Sequence, residues 1–542
     1  MIICKGKGIG NGKASGRLKF VNAKEKTTQG SIFTSQEKEK SRLKHAQDTV
    51  REKIRESYKK ALNELGKSEA EIFEIHLMLL DDIDYQESII GEIEEHHTAE
   101  EAIIRATNVY VGILKELEDK YLSERANDII DLSNQLLDAL SGEGKAIKSD
   151  TSPYILVAND LTPSQTISLD KSMILGFVTF EGTESSHTAI LAKAMGIPAL
   201  VGTGEIDESC DGEIGLLDSK TGTLLIDPSG EQIVEFERKK LEENKIKAEH
   251  EKYLRSLINK PAVSKGGHRV LIYANIGGEY ELRSALENGA EGIGLLRSEF
   301  LYLSLDRLPT EEELFEAYRS IVTKMEGRRV IIRTLDIGAD KQIPYFNLPK
   351  EENPALGFRG VRVCLDRRDV FKDQIKAILR ASAYGRAAIM IPMIVSVDEV
   401  RECKRLIEEC KHQLFDENRE FDTRLEIGIM IETPASAIMC NELAREVDFF
   451  SVGTNDLTQY TLAADRQNPR VAPLCENNYE PVLRLIEGCA DAIHKSGGWI
   501  GVCGELSANL LLTERFVNMK IDELSMSPSY LLGIRKRVGE CK

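Results

Sequence analysis

The residues whose types could do chemistry together close or follow short apolar runs in the C-terminal half of the chain. They are Asn275, Arg297, Arg333 with Asp336, Met393, Glu432, Asn455 with Asp456, Cys503 with Glu505, and Ser525. Lys341, Arg359 and Arg466 lie close by in sequence. The planar fork of arginine suits phosphate and carboxylate oxygens. Glu432 and Asp456 end neighbouring runs, so their carboxylates could share one hard cation. Mg²⁺ favours that arrangement, with substrate oxygens completing its octahedron. The substrate implied is a small, doubly anionic phosphorylated acid. Any one of these arginines could be a plain ion-pair partner, but several converging with two carboxylates point to a site.

A second candidate lies in the text Glu181-Gly182-Thr183-Glu184-Ser185-Ser186-His187-Thr188-Ala189. The Ser185/Ser186 pair reads as an N-cap. His187 then falls in the first turn of a helix that ends at Gly196-Ile197-Pro198. A phosphoryl group on His187 would meet the positive end of that helix, and a neutral imidazole is a competent nucleophile near neutral pH. A histidine beside two serines is by itself an ordinary polar residue. Cys503, within Gly501-Val502-Cys503-Gly504-Glu505, is singled out by place: a thiol at a strand end could deliver a proton to carbon. His96-His97 reads as a solvated helix end. His76, in Glu74-Ile75-His76-Leu77-Met78-Leu79-Leu80, reads as bundle core, with an exposed Met/Leu patch for a partner as the sharper alternative.

The elements that must position these residues follow from periodicity. Apolar strand runs at 270–275, 292–296, 329–335, 388–393, 427–432, 448–452, 498–503 and 522–525 alternate with helical stretches. Such an alternation predicts a (β/α)8 barrel, with its active site at the C-terminal ends of the strands. Upstream, Leu43, Ala46, Val50, Ile54, Ala61 and Leu65 recur at helical steps, and 68–95, 99–120 and 122–140 repeat the pattern. Residues 151–228 read as a small α/β domain. Residues 230–259 are charged and helical until Pro261 stops them.

The chain has 542 residues, enough for three or four domains, with 42% apolar and 30% charged residues. Its formal net charge of -18 argues against nonspecific nucleic-acid binding, which needs a basic surface. No apolar run reaches membrane-span length, and the first residues lack a signal-peptide core. The 10 cysteines form no CxxC pair, so free thiols in a reducing cytoplasm are expected.

Several stretches carry a resemblance that runs from about residue 1 to 540. They are Tyr121-Leu122-Ser123-Glu124-Arg125-Ala126-Asn127-Asp128, Asp160-Leu161-Thr162-Pro163-Ser164, the His187 segment, Gly294-Leu295-Leu296-Arg297-Ser298-Glu299-Phe300, Arg333-Thr334-Leu335-Asp336, Gly453-Thr454-Asn455-Asp456-Leu457-Thr458 and Cys503-Gly504-Glu505-Leu506. The chain resembles enzyme I of the phosphoenolpyruvate-dependent sugar phosphotransferase system. The resemblance implies a multidomain α/β protein: a small swivelling phosphohistidine domain (1–29 and 145–229), an inserted helical bundle that binds the carrier HPr (30–144), a helical linker (230–262), and a phosphoenolpyruvate-binding (β/α)8 barrel that dimerises (263–542). It implies phosphoenolpyruvate bound with Mg²⁺, and Glu432 and Asp456 as metal ligands. Arg297, Arg333, Arg466 and Asn455 would hold phosphate and carboxylate, with Arg359 and Lys341 in support and Asp456 beside them. His187 would attack phosphorus, Cys503 would protonate the enolate, and the phosphoryl group would pass to HPr. A cytoplasmic homodimer is implied.

The family carries two glycines, a basic residue and Thr-Ser before the histidine. Gly182-Thr183-Glu184-Ser185-Ser186 stands here, and Lys193 replaces a common arginine. Lys7-Gly8-Ile9-Gly10 replaces an opening Pro-Gly, and the chain ends at Cys541-Lys542, short of the family's helical tail. A relative of pyruvate phosphate dikinase is the alternative enzyme, but no nucleotide-grasp domain or P-loop is expected here. A non-catalytic scaffold homologue is the alternative from another class.

Overall fold

The computed structural model describes residues 1–10, 12–21, 33–64, 67–116, 120–141, 152–159, 161, 165–166, 169–183, 186–338, 344–466, 468 and 470–542. They form two compact units, Met1–Ile246 and Lys247–Lys542. Among the described residues no helix is long and apolar enough to cross a membrane.

The first unit holds a mixed sheet of β1 (Ile2–Lys5), β2 (Lys7–Ile9), β3 (Lys13–Val21), β4 (Tyr154–Ala158), β5 (Ile174–Thr179), β6 (Ala199–Val201), β7 (Ile214–Asp218) and β8 (Thr223–Ile226). Their order is β1-β8-β7-β3-β4-β5-β6-β2. β3, β4, β5 and β6 run parallel. β4 is buried along its whole length, as expected for a strand covered on both faces.

Between β3 and β4 the described residues make five helices: α1 (Gln36–Glu64), α2 (Lys67–Leu80), α3 (Ile83–Glu94), α4 (Ala99–Glu116) and α5 (Lys120–Ser141). Leu43, Val50, Ile54, Ile89, Ile93, Ile103, Leu132 and Leu136 share their core. Residues 68–95, read above as one helical stretch, are two helices. The break is local chemistry: Asp82 is extended and its carboxylate accepts the Tyr85 N–H at 2.8 Å, capping α3. On α2, Phe73, His76 and Leu80 face inward while Met78 is exposed. His76 is fully buried, 3.8 Å from Asp128 and 3.9 Å from Asp131.

After β6, β7 and β8 comes a long helix, Gly230–Arg255, which buries none of its residues. Ion pairs such as Arg238–Glu235 and Lys239–Glu235 run along it. It stops well before Pro261. The turn that follows is held by Arg535, whose Nη1 donates to the carbonyls of Leu257, Ile258 and Lys260 at 3.3, 2.7 and 2.6 Å.

In the second unit a short β9 (Ala262–Val263) leads into β10 (Arg269–Ile276), β11 (Ile293–Arg297), β12 (Val330–Arg333), β13 (Ala387–Ile391), β14 (Glu426–Ile431), β15 (Phe449–Val452), β16 (Trp499–Val502) and β17 (Glu523–Met526). Each strand from β10 to β17 pairs in parallel with the next, and β17 pairs with β10, so the barrel closes. Side chains alternate across the wall. Ile331, Ala388, Met390, Met430 and Phe449 fill the lumen. Ile332, Ile389, Ile391, Ile429 and Ile431 pack outward under the helices. At the floor, Arg329 pairs with Glu426 at 2.9 Å and lies over the Trp499 ring at 4.3 Å. Phe449 stacks on Trp499 with centroids 4.5 Å apart.

Glu523 is an anomaly in this lumen. It is fully buried, and burial pushes its carboxyl up to about 8, with Asp522 adding and the Ser525 hydroxyl and Arg329 opposing. The folded chain therefore keeps a proton there that the unfolded chain releases above its ordinary 4.5. Stability from this group is complete below that value and falls as pH rises toward about 8. Between about pH 5 and about pH 8.5 the wild type should lose ~2–4 kcal/mol more than Glu523→Gln. Urea unfolding at both pH values reads the difference, and equal losses would refute it.

Candidate active site

The rim at the strand C-termini is built from oppositely charged side chains held out of water. Arg333, the last residue of β12, is buried; its Nη2 donates to Glu299 Oε1 at 2.5 Å and its Nη1 lies 3.0 Å from Asp336 Oδ2. Arg359 turns its guanidinium onto the other side of Asp336, with Nη2 at 3.1 and 3.0 Å from the two oxygens. The same Nη2 is 3.6 Å from Asp456 Oδ2, and Nη1 donates to the Tyr460 hydroxyl at 3.3 Å. Asp336 thus orients two arginines at once. Burial works against both guanidinium charges, but the carboxylates outweigh it and hold both above their ordinary value: Glu299, Asp336, Glu432 and Asp456 for Arg333, and Asp336, Asp456 and Glu432 for Arg359.

Glu432 follows β14 directly and is almost wholly buried. Its Oε1 accepts the Met393 N–H at 2.6 Å. Met393 takes a left-handed φ of 58°, a strained conformation for a side-chain-bearing residue, and that places its N–H on the carboxylate. Burial first, then Asp456 and Asp336, push the Glu432 carboxyl well above the usual range, while Arg333 and Arg359 oppose. Its Oε2 faces Gly453, where a Cβ would approach to 3.0 Å, so the glycine keeps that oxygen's flank open. One buried carboxylate oxygen beside Asp456, in a cluster short of room for two negative charges, is a donor set that fits a hard divalent cation.

Asp456 and Asn455 lie in the first turn of the helix Thr454–Leu462. Asn455 Nδ2 donates to Glu505 Oε1 at 3.2 Å, and its Oδ1 accepts the Glu505 N–H at 2.8 Å, which ties the ends of β15 and β16 together. Asn275 does the same for the closing strands, donating to the carbonyls of Cys503 at 2.8 Å and Ser525 at 3.2 Å. The Cys503 thiol is buried, lies 3.4 Å from the Val452 carbonyl, and is pushed up to about 12 chiefly by burial.

The structure brings Arg333, Asp336, Arg359, Glu432 and Asp456 into one network. Arg297 at the end of β11 and Arg466 beyond the Thr454–Leu462 helix are exposed, and among the described residues neither guanidinium has a carboxylate at ion-pair distance. They are cations available to a ligand. Lys341 lies outside the described residues. Glu299 and Tyr460 carry no assigned role in the sequence reading, and Met393 enters it only by its place at a strand end, not for its N–H. The signals for Glu299 are its place two residues after Arg297 and within the stretch Gly294–Phe300.

In the first unit, Ser186 is extended (φ -65°, ψ 154°) and its hydroxyl accepts the Ala189 N–H, capping the helix His187–Met195. Gly196 ends it with φ 66°. His187 opens this helix, with Gly182 at φ 104° turning the chain before it. The His187 ring, Glu184 and Ser185 lie outside what the structure describes. Ala189, Leu191 and Ala192 seat the helix on Leu156, Phe177 and Ala199 of the sheet.

A closed parallel barrel with cations and carboxylates at the strand C-termini, in a chain whose other unit has a histidine at a helix start, fits a phosphoryl-handling class of enzyme. The family models agree. Residues 251–542 match the PEP-binding domain of PEP-utilising enzymes, 5–125 their N-terminal domain and 151–222 their mobile domain. The phosphoenolpyruvate-protein phosphotransferase of Priestia megaterium is 41% identical over 517 residues, covering 95% of this chain and 90% of that protein. That of Bacillus subtilis is 39% identical over 539 residues, covering 99% and 94%. That of Haemophilus influenzae is 42% identical over 503 residues, covering 92% and 87%. The chain belongs to the phosphoenolpyruvate-protein phosphotransferase family of PEP-utilising enzymes.

Proposed function

We propose that the chain transfers the phosphoryl group of phosphoenolpyruvate to His187 and from there to the carrier protein HPr. The observation that carries this is the Arg333–Asp336–Arg359 cluster beside Glu432, a buried arrangement of charge suited to a small polyanion. Arg333 and Arg359, with Arg297, Arg466, Asn455 and Lys341, hold phosphate and carboxylate. Asp336 keeps two of these forks aimed, so little reorganisation is needed when the substrate arrives. Glu432 and Asp456 would hold Mg²⁺, which when bound would supply charge neutralisation to the phosphoryl group. The His187 ring nitrogen forms the bond to phosphorus as the bond to the enolate oxygen breaks. The helix N-terminus behind it favours the charge it gains. Cys503, kept as a thiol by burial, donates its proton to C3 of the enolate and pyruvate leaves. The active form is a cytoplasmic homodimer paired through its barrels.

HPr docks on the helical bundle. Met78 of α2 and Ile83 at the start of α3 are 72% and 71% exposed, large apolar side chains close in sequence that a docked partner would cover. Met78→Asp should raise the KM for HPr at least ~10-fold and leave phosphorylation of His187 by phosphoenolpyruvate unchanged. A variant with an unaltered KM would remove this docking face. The proposal as a whole is tested by product analysis. Pyruvate and phosphorylated HPr should appear in equal amounts, and a chelator should stop both. Pyruvate formed without HPr in continuing turnover would contradict it.

A further inference from the structure

Below the thiol of Cys503 the lumen contains a carboxyl that the reaction as described does not use. Ser451 stands opposite Gly501, and Gly501 opposite Glu523, so these three make one inward layer across β15, β16 and β17. Cys503 and Ser525 lie two residues further along and face the same way, one layer nearer the mouth. A Cβ on Gly501 would run into Glu523 Oε2, and one on Gly294 into Glu523 Oε1. Two glycines thus clear the space the carboxyl fills, and that space lies under Cys503. The Ser451 hydroxyl leans on the Cys503 thiol and the Ser525 hydroxyl on the Glu523 carboxyl. The fit is loose: neither hydroxyl and neither carboxyl oxygen has a well-aligned partner among the described residues. The cation whose charge acts on it, Arg329, is committed to Glu426 at the floor. An apolar side chain would fill this volume at far lower cost.

We propose that Glu523 is the proton store that recharges Cys503. Once the thiol has protonated the enolate carbon, the O–H of the Glu523 carboxyl breaks as the S–H of Cys503 re-forms, and the carboxylate then takes a proton from solvent water. The inference rests on Cys503 being the acid that serves C3. Glu523 does not touch substrate; it is a positioning residue that acts through the thiol. Burial leaves the thiol at about 12 and the carboxyl at about 8, so the proton moves downhill to the thiolate.

Rapid-quench kinetics with phosphoenolpyruvate, Mg²⁺ and excess HPr test the idea in wild type, Glu523→Gln and Glu523→Asp. Glutamine keeps the shape and hydrogen bonding but has no acid to give. The first turnover draws on the proton already on Cys503. The pyruvate burst of Glu523→Gln should therefore match wild type, while its steady rate falls ~10–100-fold. Glu523→Asp should restore part of that rate. An equal fall in burst and steady rate marks a structural role and overturns the proposal, as does a fall in neither. If Glu523→Gln does not fold, Glu523→Asp decides alone: a normal burst with a slower steady rate supports the store, and parallel behaviour of the two overturns it. Cys503→Ala separates the underlying assignment. If it forms pyruvate at the wild-type rate, Cys503 is not the acid, and the store falls with it.

Discussion

Arg333→Ala should lose ~3–5 kcal/mol of stability and at least ~1000-fold in phosphoryl transfer. Two separate effects add here. Arg333 is buried between Glu299 and Asp336, with Glu432 and Asp456 close enough to raise its affinity for the proton. Removing the guanidinium leaves those carboxylates facing one another across a desolvated rim, where like charges repel strongly. Asp336 would swing toward Arg359 alone and cease to aim both forks. The second effect is on the substrate, which loses a cation fixed at the end of β12. Arg333→Lys keeps the charge but has no fork to span Glu299 and Asp336 at once. It should recover most of the stability and only part of the activity, ~10–100-fold below wild type. Urea unfolding and steady-state rates on the three proteins separate the two effects. An Arg333→Ala protein as stable and as active as wild type would show that the charge cluster is neither structural nor functional.

Cys503→Ala should slow pyruvate formation ~100–1000-fold while the KM for phosphoenolpyruvate changes little. The thiol's hydrogen-bond partner among the described residues is the Val452 carbonyl, not an arginine, so it contributes nothing to holding the anion. Burial keeps it protonated up to about 12, so the donor form is present throughout the neutral and mildly alkaline range. The wild-type rate should accordingly show no loss from thiol ionisation near the ordinary cysteine value of 9.0. A variant whose KM rises while kcat is preserved would assign Cys503 to binding instead of proton transfer.

Much of the barrel is legible in the sequence because each strand is a short, nearly continuous apolar run, and the reactive residues interrupt those runs at their ends. Arg297, Arg333 and Glu432 stand out for that reason: each is a charge next to a buried run. The Ser186 cap and the Gly196 stop are equally local and equally readable. What escapes is set by closure. Glu523 begins β17 in the text Ile521-Asp522-Glu523-Leu524-Ser525, which reads as an ordinary acidic strand edge. Only the pairing of β17 with β10 and β16 puts Glu523 in the lumen while its neighbour Asp522 reaches the β16 backbone, accepting the Ile500 N–H at 2.9 Å. Gly294 and Gly501 could have hinted at it, since an inward glycine must leave room for something. Glu299 escapes because its partner is distant in sequence, and the break at Asp82 because helical periodicity continues across it.

The central claim is that His187 takes the phosphoryl group from phosphoenolpyruvate. The direct measurement is incubation of the full chain with radiolabelled phosphoenolpyruvate and Mg²⁺, for wild type and His187→Ala, followed by acid treatment and by a chase with HPr. The account predicts acid-labile label on wild type only, removed by HPr. Wild type without label, or equal label on His187→Ala, would contradict it.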